Sequence, residues 1–316
     1  MIKTVTLNPA VDKAVTIAEF AVGEVNRIVS VRLDAGGKGI NVARVLHRLG
    51  APALALAPVG GAAGQFLADR LDEEGIPCRL LKISGESRTN LKVVDPVLGT
   101  HTDINEPGTP LSERELDRLR HDLLDDLGPG DAVVFSGSVP AGVPSDLYGT
   151  WIAEASSRGA FTVLDAEGAL FSKGLQGAPD LVKPNRAELE VWAGRRLDTD
   201  DALLEAMKLL RSSGARTVAV SLGSQGAWLA TENGFWFAPG LKVEAQSTVG
   251  AGDAFVAALT WALVRRQSPQ EALAAAVATA TASVVRPGTG AGELGDIEKF
   301  RAQVAVRHVS FSGRKP

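Results

Sequence analysis

The chain has 316 residues, 45% apolar and 22% charged, with a formal net charge of −4 at pH 7. That length suits one large α/β domain with an appendage, or two domains, and the composition is that of an ordinary globular protein. The negative balance argues against a general nucleic-acid binder and gives no hint of a membrane surface. The single cysteine, Cys78, excludes an intrachain disulfide and a thiolate zinc site.

The opening residues 2–7 alternate as a strand, and Asp12 and Lys13 follow at once, which is unlike a signal peptide. No uncharged apolar run approaches the roughly 18 residues of a membrane helix. The chain is therefore expected in the cytoplasm. Residues 14–17 and 27–33 are β-like runs with no helical period. Gly36-Gly37-Lys38-Gly39 then precedes an amphipathic helix at 40–46, ended by Gly50. A strand is expected at 53–59, a helix at 64–74, and a hairpin over 89–97 and 100–104 turning at Gly99.

After Pro110 strands and helices alternate. Ser112 and Glu115 fit a capping box. Strands are expected at 131–135, 161–164, 181–183 and 217–221, with helices at 145–157, 186–192 and 200–212. The Ala-rich run 272–285 suits a buried helix, and the tail 310–316 reads as loose. Such alternation implies a mostly parallel central sheet with helices on both faces, binding its ligands at the carboxyl ends of the strands. The β-rich segments 14–33 and 88–105 break the rhythm and are expected to pair into a small separate sheet.

The chemistry gathers at a few places. Thr248-Val249-Gly250-Ala251-Gly252-Asp253 leads a polar loop into an apolar helix. Free N–H groups there form an anion site, and Asp253 is either a general base beside it or an N-cap. Gly36 to Gly39 leave another helix N-terminus bare, with Lys38 bringing charge and Asn41 one turn in; the bland alternative is a tight turn with an exposed lysine. The spacing matches neither a Walker A loop nor G-x-G-x-x-G, which disfavours a nicotinamide-dependent oxidoreductase.

Asp12 ends the first strand as a sugar-hydroxyl acceptor or a turn residue. Arg88, Asn90 and Lys92 share one strand face and suit a phosphomonoester, although such a trio is common on solvated strands. Asn185 and Glu188, three apart, could order water around Mg²⁺ or simply cap a helix. Ser221, Gly223 and Gly226 leave room for a flat ring. The four histidines have no ligand spacing, and Ser136-Gly137-Ser138 is not a hydrolase elbow.

Taken in order, these residues resemble the ribokinase-like (PfkB) carbohydrate kinases. Gly36 to Arg44 and Ser247 to Asp253 are similar to the family's two signatures. Thr6-Leu7-Asn8-Pro9, Ser136-Gly137-Ser138-Val139-Pro140, Val182 to Leu189 and Val220-Ser221-Leu222-Gly223 fit between them, so the likeness covers essentially the whole chain. Glu86-Ser87-Arg88-Thr89-Asn90-Leu91-Lys92 and Leu189 to Arg195 resemble the branch acting on fructose 1-phosphate. Tagatose-6-phosphate kinases usually differ in the first strand. The 6-phosphofructokinase branch would place glycine at Lys38 and an arginine near Thr102. Glu167 departs from the family's usual D-x-S-G, and no role is carried to it.

The resemblance implies a ribokinase-like three-layer α/β fold, a single kinase domain over 1–316 with a β-sheet lid from about 12–35 and 88–106. It implies transfer of the ATP γ-phosphoryl group to the 6-hydroxyl of fructose 1-phosphate. A non-catalytic ligand-binding module on the same fold is the other class. Asp253 would be the base, with the N–H groups of Ala251, Gly252 and Asp253, after Gly250, as the anion hole. Asp12 and Asn41 would hold sugar hydroxyls, and Lys38, Arg88 and Arg27 the C1 phosphate. Gly37, Asn90, Lys92 and Ser138 would complete the sugar side. Lys183, Asn185, Ser221, Gly223, Gly226 and Thr248 would line the nucleotide side. Asn185 and Glu188 would organise Mg²⁺ through water. The lid would exclude water and form a homodimer contact.

Overall fold

The computed structural model describes residues 1–286, 288 and 291–309; the expectation for 310–316 lies outside the described residues. The first half of the chain contains β1 (Ile2–Val5), β2 (Ala10–Thr16), β3 (Ser30–Gly36), α1 (Lys38–Arg48), β4 (Ala53–Val59), α2 (Gly61–Glu73), β5 (Cys78–Lys82), β6 (Arg88–Asp95) and β7 (Thr100–Asn105). It continues through α3 (Glu113–Leu124), β8 (Ala132–Ser136), α4 (Leu147–Ser157) and β9 (Phe161–Asp165). The second half adds α5 (Gly168–Gly174), β10 (Leu181–Val182), α6 (Arg186–Ala193), α7 (Asp200–Ser212) and β11 (Thr217–Ser221). Last come β12 (Gly226–Thr231), β13 (Gly234–Pro239), α8 (Ala251–Val264), α9 (Pro269–Val284), α10 (Leu294–Arg301) and β14 (Arg307–Val309).

Ten strands form one sheet in the order β14-β13-β12-β11-β10-β9-β8-β1-β4-β5. It is parallel from β5 to β11, and β12 to β14 extend it antiparallel. Alternate residues of each central strand point to opposite faces, so both faces must be covered by helices. On β8, Val133 and Phe135 pack with α3, α4 and α7 through Leu123, Trp151 and Leu203. The intervening Ala132 and Val134 face α1, α8 and α9 through Val42, Phe255 and Leu273. Each wholly buried Leu or Phe contributes about 1.5–3 kcal/mol over its exposed state, so this alternation holds the three layers together.

Lys3 is the exception on β1. Its buried side chain donates from Nζ to the carbonyls of Asp122, Leu123 and Asp125, where α3 runs out of intrahelical partners. Burial lowers its pKa, and the nearby Asp125, Asp131 and Asp126 carboxylates oppose that shift.

The two β-rich segments do form a second, four-stranded sheet, ordered β3-β2-β6-β7. The pair β6 and β7 is the expected hairpin, while β2 and β6 run parallel. Its root is the Gly36-Gly37 step into α1. A Cβ on Gly36 would displace the Asp12 carboxyl group, and Gly37 turns with φ of 120° against Thr6 and Pro9.

Candidate active site

Loop 248–250 and the start of α8 lie at the centre of the site. Gly250 is the N-cap, left-handed at φ 80°, and no side chain caps the helix. Asp253 is therefore the third helical residue, which removes its reading as an N-cap. The first helical backbone bond runs from Ala254 N–H to Gly250 O. Ala251 N–H reaches only Thr248 O at 3.4 Å, and among the described residues Gly252 and Asp253 N–H have no acceptor. These donors and the helix dipole make the loop an anion site.

Asp253 is 6% exposed and accepts a hydrogen bond from Asn41 Nδ2 at 2.7 Å. Burial, and next the Asp165 carboxylate, push its pKa up to about 7, against the pull of Asn41, Lys38 and Lys183. Lys38, the first residue of α1, lies 3.8 Å from Asp165 Oδ1, and Lys183 lies 3.3 Å from the same oxygen. The Asp165 carboxylate holds the Lys38 ammonium above its ordinary value. That oxygen is buried with no aligned hydrogen bond, so the contacts are ionic and geometrically loose.

On one side of the loop, a cavity of about 230 Å³ opens under the small sheet. Register puts Asp12, Asp34 and Asn90 abreast, and Ala14, Arg32, Lys92 and Asp103 in the next row. Asn90 donates to Asp12 at 3.0 Å, and burial raises the Asp12 carboxyl pKa. Lys92 pairs with Asp103 at 3.2 Å, and Arg32 with Asp34 at 2.8 Å. Arg88 is on the same strand face, but its guanidinium turns to Asn8 O at 3.2 Å and Glu106 O at 3.0 Å.

On the other side, a largely apolar cavity of about 300 Å³ is lined by Ser221, Gly223, Gly226, Thr248, Ala251 and Gly252, with Leu241, Phe255 and Val277. Ser221, Gly223, Gly226 and Thr248, all expected around a nucleotide, therefore share one cavity.

Asn185 and Glu188 form a capping box: Asn185 Oδ1 accepts from Glu188 N–H, and Glu188 accepts from Asn185 N–H and Nδ2. Each Glu188 oxygen keeps a free lone pair. Hydrated Mg²⁺ needs only one or two protein oxygens, so this donor set fits it through water. Among the described residues no group of three or more His, Cys, Asp or Glu is placed to hold a metal by itself.

Ser138 accepts from Asn8 Nδ2 at 3.3 Å, near the root of the small sheet. Arg27 is not brought to either cavity; it lies in the loop between β2 and β3. Asn41, expected on sugar hydroxyls, spends its amide on Asp253. Asp165 joins the site from a strand end, with no role assigned to it beforehand, and Arg32 and Arg44 join it without having been expected there. Asp165 carries a signal in the sequence, since it ends a buried parallel strand. Arg32 can be found by counting period two along β3.

A protein-family model, "pfkB family carbohydrate kinase", matches residues 5–294. The 1-phosphofructokinase of Escherichia coli (strain K12) is 36% identical over 310 residues, 97% of this chain and 98% of that protein. The 1-phosphofructokinase of Xanthomonas campestris pv. campestris is 42% identical over 266 residues, 83% of each chain. The crystal structure of Escherichia coli phosphofructokinase-2 in complex with substrates and products superposes with a TM-score of 0.91. Its sequence is 33% identical, and the match covers 96% of this chain and 98% of that one. The fold and the site thus define a sugar-directed phosphotransferase. The chain belongs to the pfkB family of carbohydrate kinases.

Proposed function

We propose that the protein transfers the γ-phosphoryl group of ATP to the 6-hydroxyl of fructose 1-phosphate, giving fructose 1,6-bisphosphate and ADP. The observation that carries this is the loop before α8. Val249 lines the cavity under the small sheet, while Thr248, Ala251 and Gly252 line the apolar cavity. One helix N-terminus therefore serves two binding sites, as direct transfer between two substrates requires. The choice of sugar follows the relatives named 1-phosphofructokinase and the Arg88, Asn90, Lys92 strand.

In this reading ATP occupies the apolar cavity with its phosphates toward Gly252. Asp12 and Asn90 hold sugar hydroxyls, and Arg88 and Lys92 take the C1 phosphate. Asp253 removes the proton of the 6-hydroxyl as its oxygen bonds the γ-phosphorus and the bond to ADP breaks. The N–H groups of Gly252 and Asp253 hold the oxygens of the moving group, and such preorganised donors usually supply most of the rate enhancement. Lys38 and Lys183 balance the phosphate charge. Asn185 and Glu188 would hold Mg²⁺ through water, and the ion would supply positive charge against the nucleotide phosphates. The small sheet closes over the sugar and keeps water from the phosphoryl group.

The far face of that sheet carries exposed Val31, Leu33 and Ile104, opposite the side that faces the sugar cavity. This favours a homodimer built on the lid. No described helix is long and apolar enough to cross a membrane.

Side-by-side initial rates with fructose 1-phosphate, fructose 6-phosphate and tagatose 6-phosphate test the substrate. Fructose 1-phosphate is expected to give the highest kcat/KM by at least about tenfold, or about 1.4 kcal/mol in transition-state binding. A higher value for either competitor overturns the choice of sugar.

A further inference from the structure

Arg44 lies one turn beyond Asn41 on the same face of α1 and is 12% exposed. Its guanidinium makes contacts in three directions. Nη1 donates to Asn41 Oδ1 at 2.9 Å, and Nη2 donates to Ala35 O at 3.0 Å. Nε and Nη2 donate to the two Glu74 carboxylate oxygens, at 2.6 and 3.3 Å. Arginine has donors only, so the Asn41 group facing it must be the carbonyl oxygen. The Asn41 amide nitrogen is then fixed on Asp253 Oδ2. Ala35 is in β3, opposite Val11, at the root of the small sheet.

We propose that Arg44 is a positioning residue that, through Asn41, holds the Asp253 carboxyl group and ties it to the root of the small sheet. It lines neither cavity. A planar fork can meet a carboxylate, a side-chain amide and a backbone carbonyl together, which lysine cannot. The inference rests on Asp253 being the base, but the orientation of Asn41 is a separate matter.

Asp253 is faced by Asn41 and Lys38 from α1, by Asp165 at the end of β9 and by Lys183 after β10. Of these, the Asn41 donor is the one Arg44 controls. With Arg44 gone, Asn41 is free to turn its oxygen toward Asp253. The ionised carboxylate then loses a hydrogen bond, and its titration moves upward.

The test is the ¹³C titration of the Asp253 carboxyl carbon, assigned by its loss in Asp253→Asn, together with the pH profile of kcat/KM. Arg44→Met is expected to raise both the titration and the acid limb by about one unit. The KM for ATP is expected to stay the same. Glu74→Gln breaks the ion pair but not the Asn41 contact; it should lower the melting temperature comparably and leave the titration in place. In an Asn41→Ala background, Arg44→Met should add no further shift. If Arg44→Met does not fold, Arg44→Lys replaces it with the same expected rise, because an ammonium paired with Glu74 leaves Asn41 Oδ1 without its donor. An Asp253 titration unmoved by the Arg44 substitution overturns the proposal, as does a shift that persists without Asn41. The carbon titration needs no turnover, so its outcome is independent of whether Asp253→Asn abolishes catalysis.

Discussion

Lys183 Nζ stands 3.3 Å from Asp165 Oδ1, with the two side chains 5% and 1% exposed. Lys38 shares that oxygen, so the four groups Lys38, Lys183, Asp165 and Asp253 are electrically balanced only when Asp253 is ionised. Proton loss from Asp253 is thereby favoured by the lysines and opposed by Asp165. Breaking such a buried pair typically costs about 3–5 kcal/mol, which marks Asp165 as a residue of consequence.

Asp165→Asn keeps the shape and removes the like charge beside Asp253. The Asp253 pKa, raised by burial and by Asp165, should fall, so the acid limb of kcat/KM should move to lower pH. Maximal kcat should drop by about tenfold or more, because both lysines lose their anchor. A pH–rate series measures both effects, and an upward shift of the limb would contradict the assignment.

Asp253→Asn should cut kcat by at least about 10²-fold while ATP still binds, as read by nucleotide titration calorimetry. Near-normal turnover would remove Asp253 as the base. The same variant makes a thermodynamic prediction. The carboxyl pKa is about 7 in the fold against an ordinary value of 3.8. Between those values the native state holds a proton that the unfolded chain has released, so wild-type stability falls as pH rises through that window and levels off above it. The asparagine carries no such penalty. Its melting temperature should exceed the wild type's by a margin growing from pH 4 to about pH 7, reaching a few degrees. A margin independent of pH would mean that burial does not strain the charged form.

Arg88→Ala should raise the KM for fructose 1-phosphate at least about tenfold and leave the KM for ATP within about twofold. The guanidinium also bonds Asn8 O and Glu106 O, so a small loss of thermal stability is expected alongside. An unchanged apparent affinity for the sugar phosphate would take Arg88 out of the site.

Val31 and Ile104 are exposed on the sheet face turned away from the cavity lined by Asp12, Asn90 and Lys92. The double change Val31→Glu, Ile104→Glu should convert a dimer to a folded monomer in sedimentation, since like charges on a desolvated patch repel. A wild-type chain that sediments as a monomer would overturn the dimer reading directly.

Much of this is legible in the chain. Period two places Asn90 and Lys92 on one face, and strand–helix alternation places Asp165, Lys183 and Ser221 at strand ends. The hairpin of β12 and β13 was not expected, although Asn233-Gly234 between two apolar runs is a strong turn signal. Strand β10, expected at 181–183 from its apolar run, is present as Leu181–Val182. The Arg44–Asn41–Asp253 chain is out of reach. It joins residues 212 apart in sequence, and only the packing of α1 on α8 brings them together. Whether an asparagine in a sugar kinase holds a hydroxyl or the base is set by that packing.

Gly252 supplies the last prediction. A Cβ there would meet only Lys183 Nζ, at 3.8 Å, an ordinary contact, and its φ is not among those in the left-handed region. Nothing in the protein itself thus requires glycine at this position, and inside a helix glycine costs about 0.8–1.0 kcal/mol relative to alanine. Gly252 lines the apolar cavity, and in the proposed reading a methyl group there would occupy the space of the transferring phosphoryl group. Gly252→Ala should therefore raise the melting temperature by about 1–2 °C and lower kcat at least about tenfold. Gly39→Ala makes the control, since its Cβ would collide with Thr6 Oγ1 and Val5 O and should destabilise the fold outright. A Gly252→Ala enzyme that is both more stable and fully active would show that no ligand atom passes close to this residue.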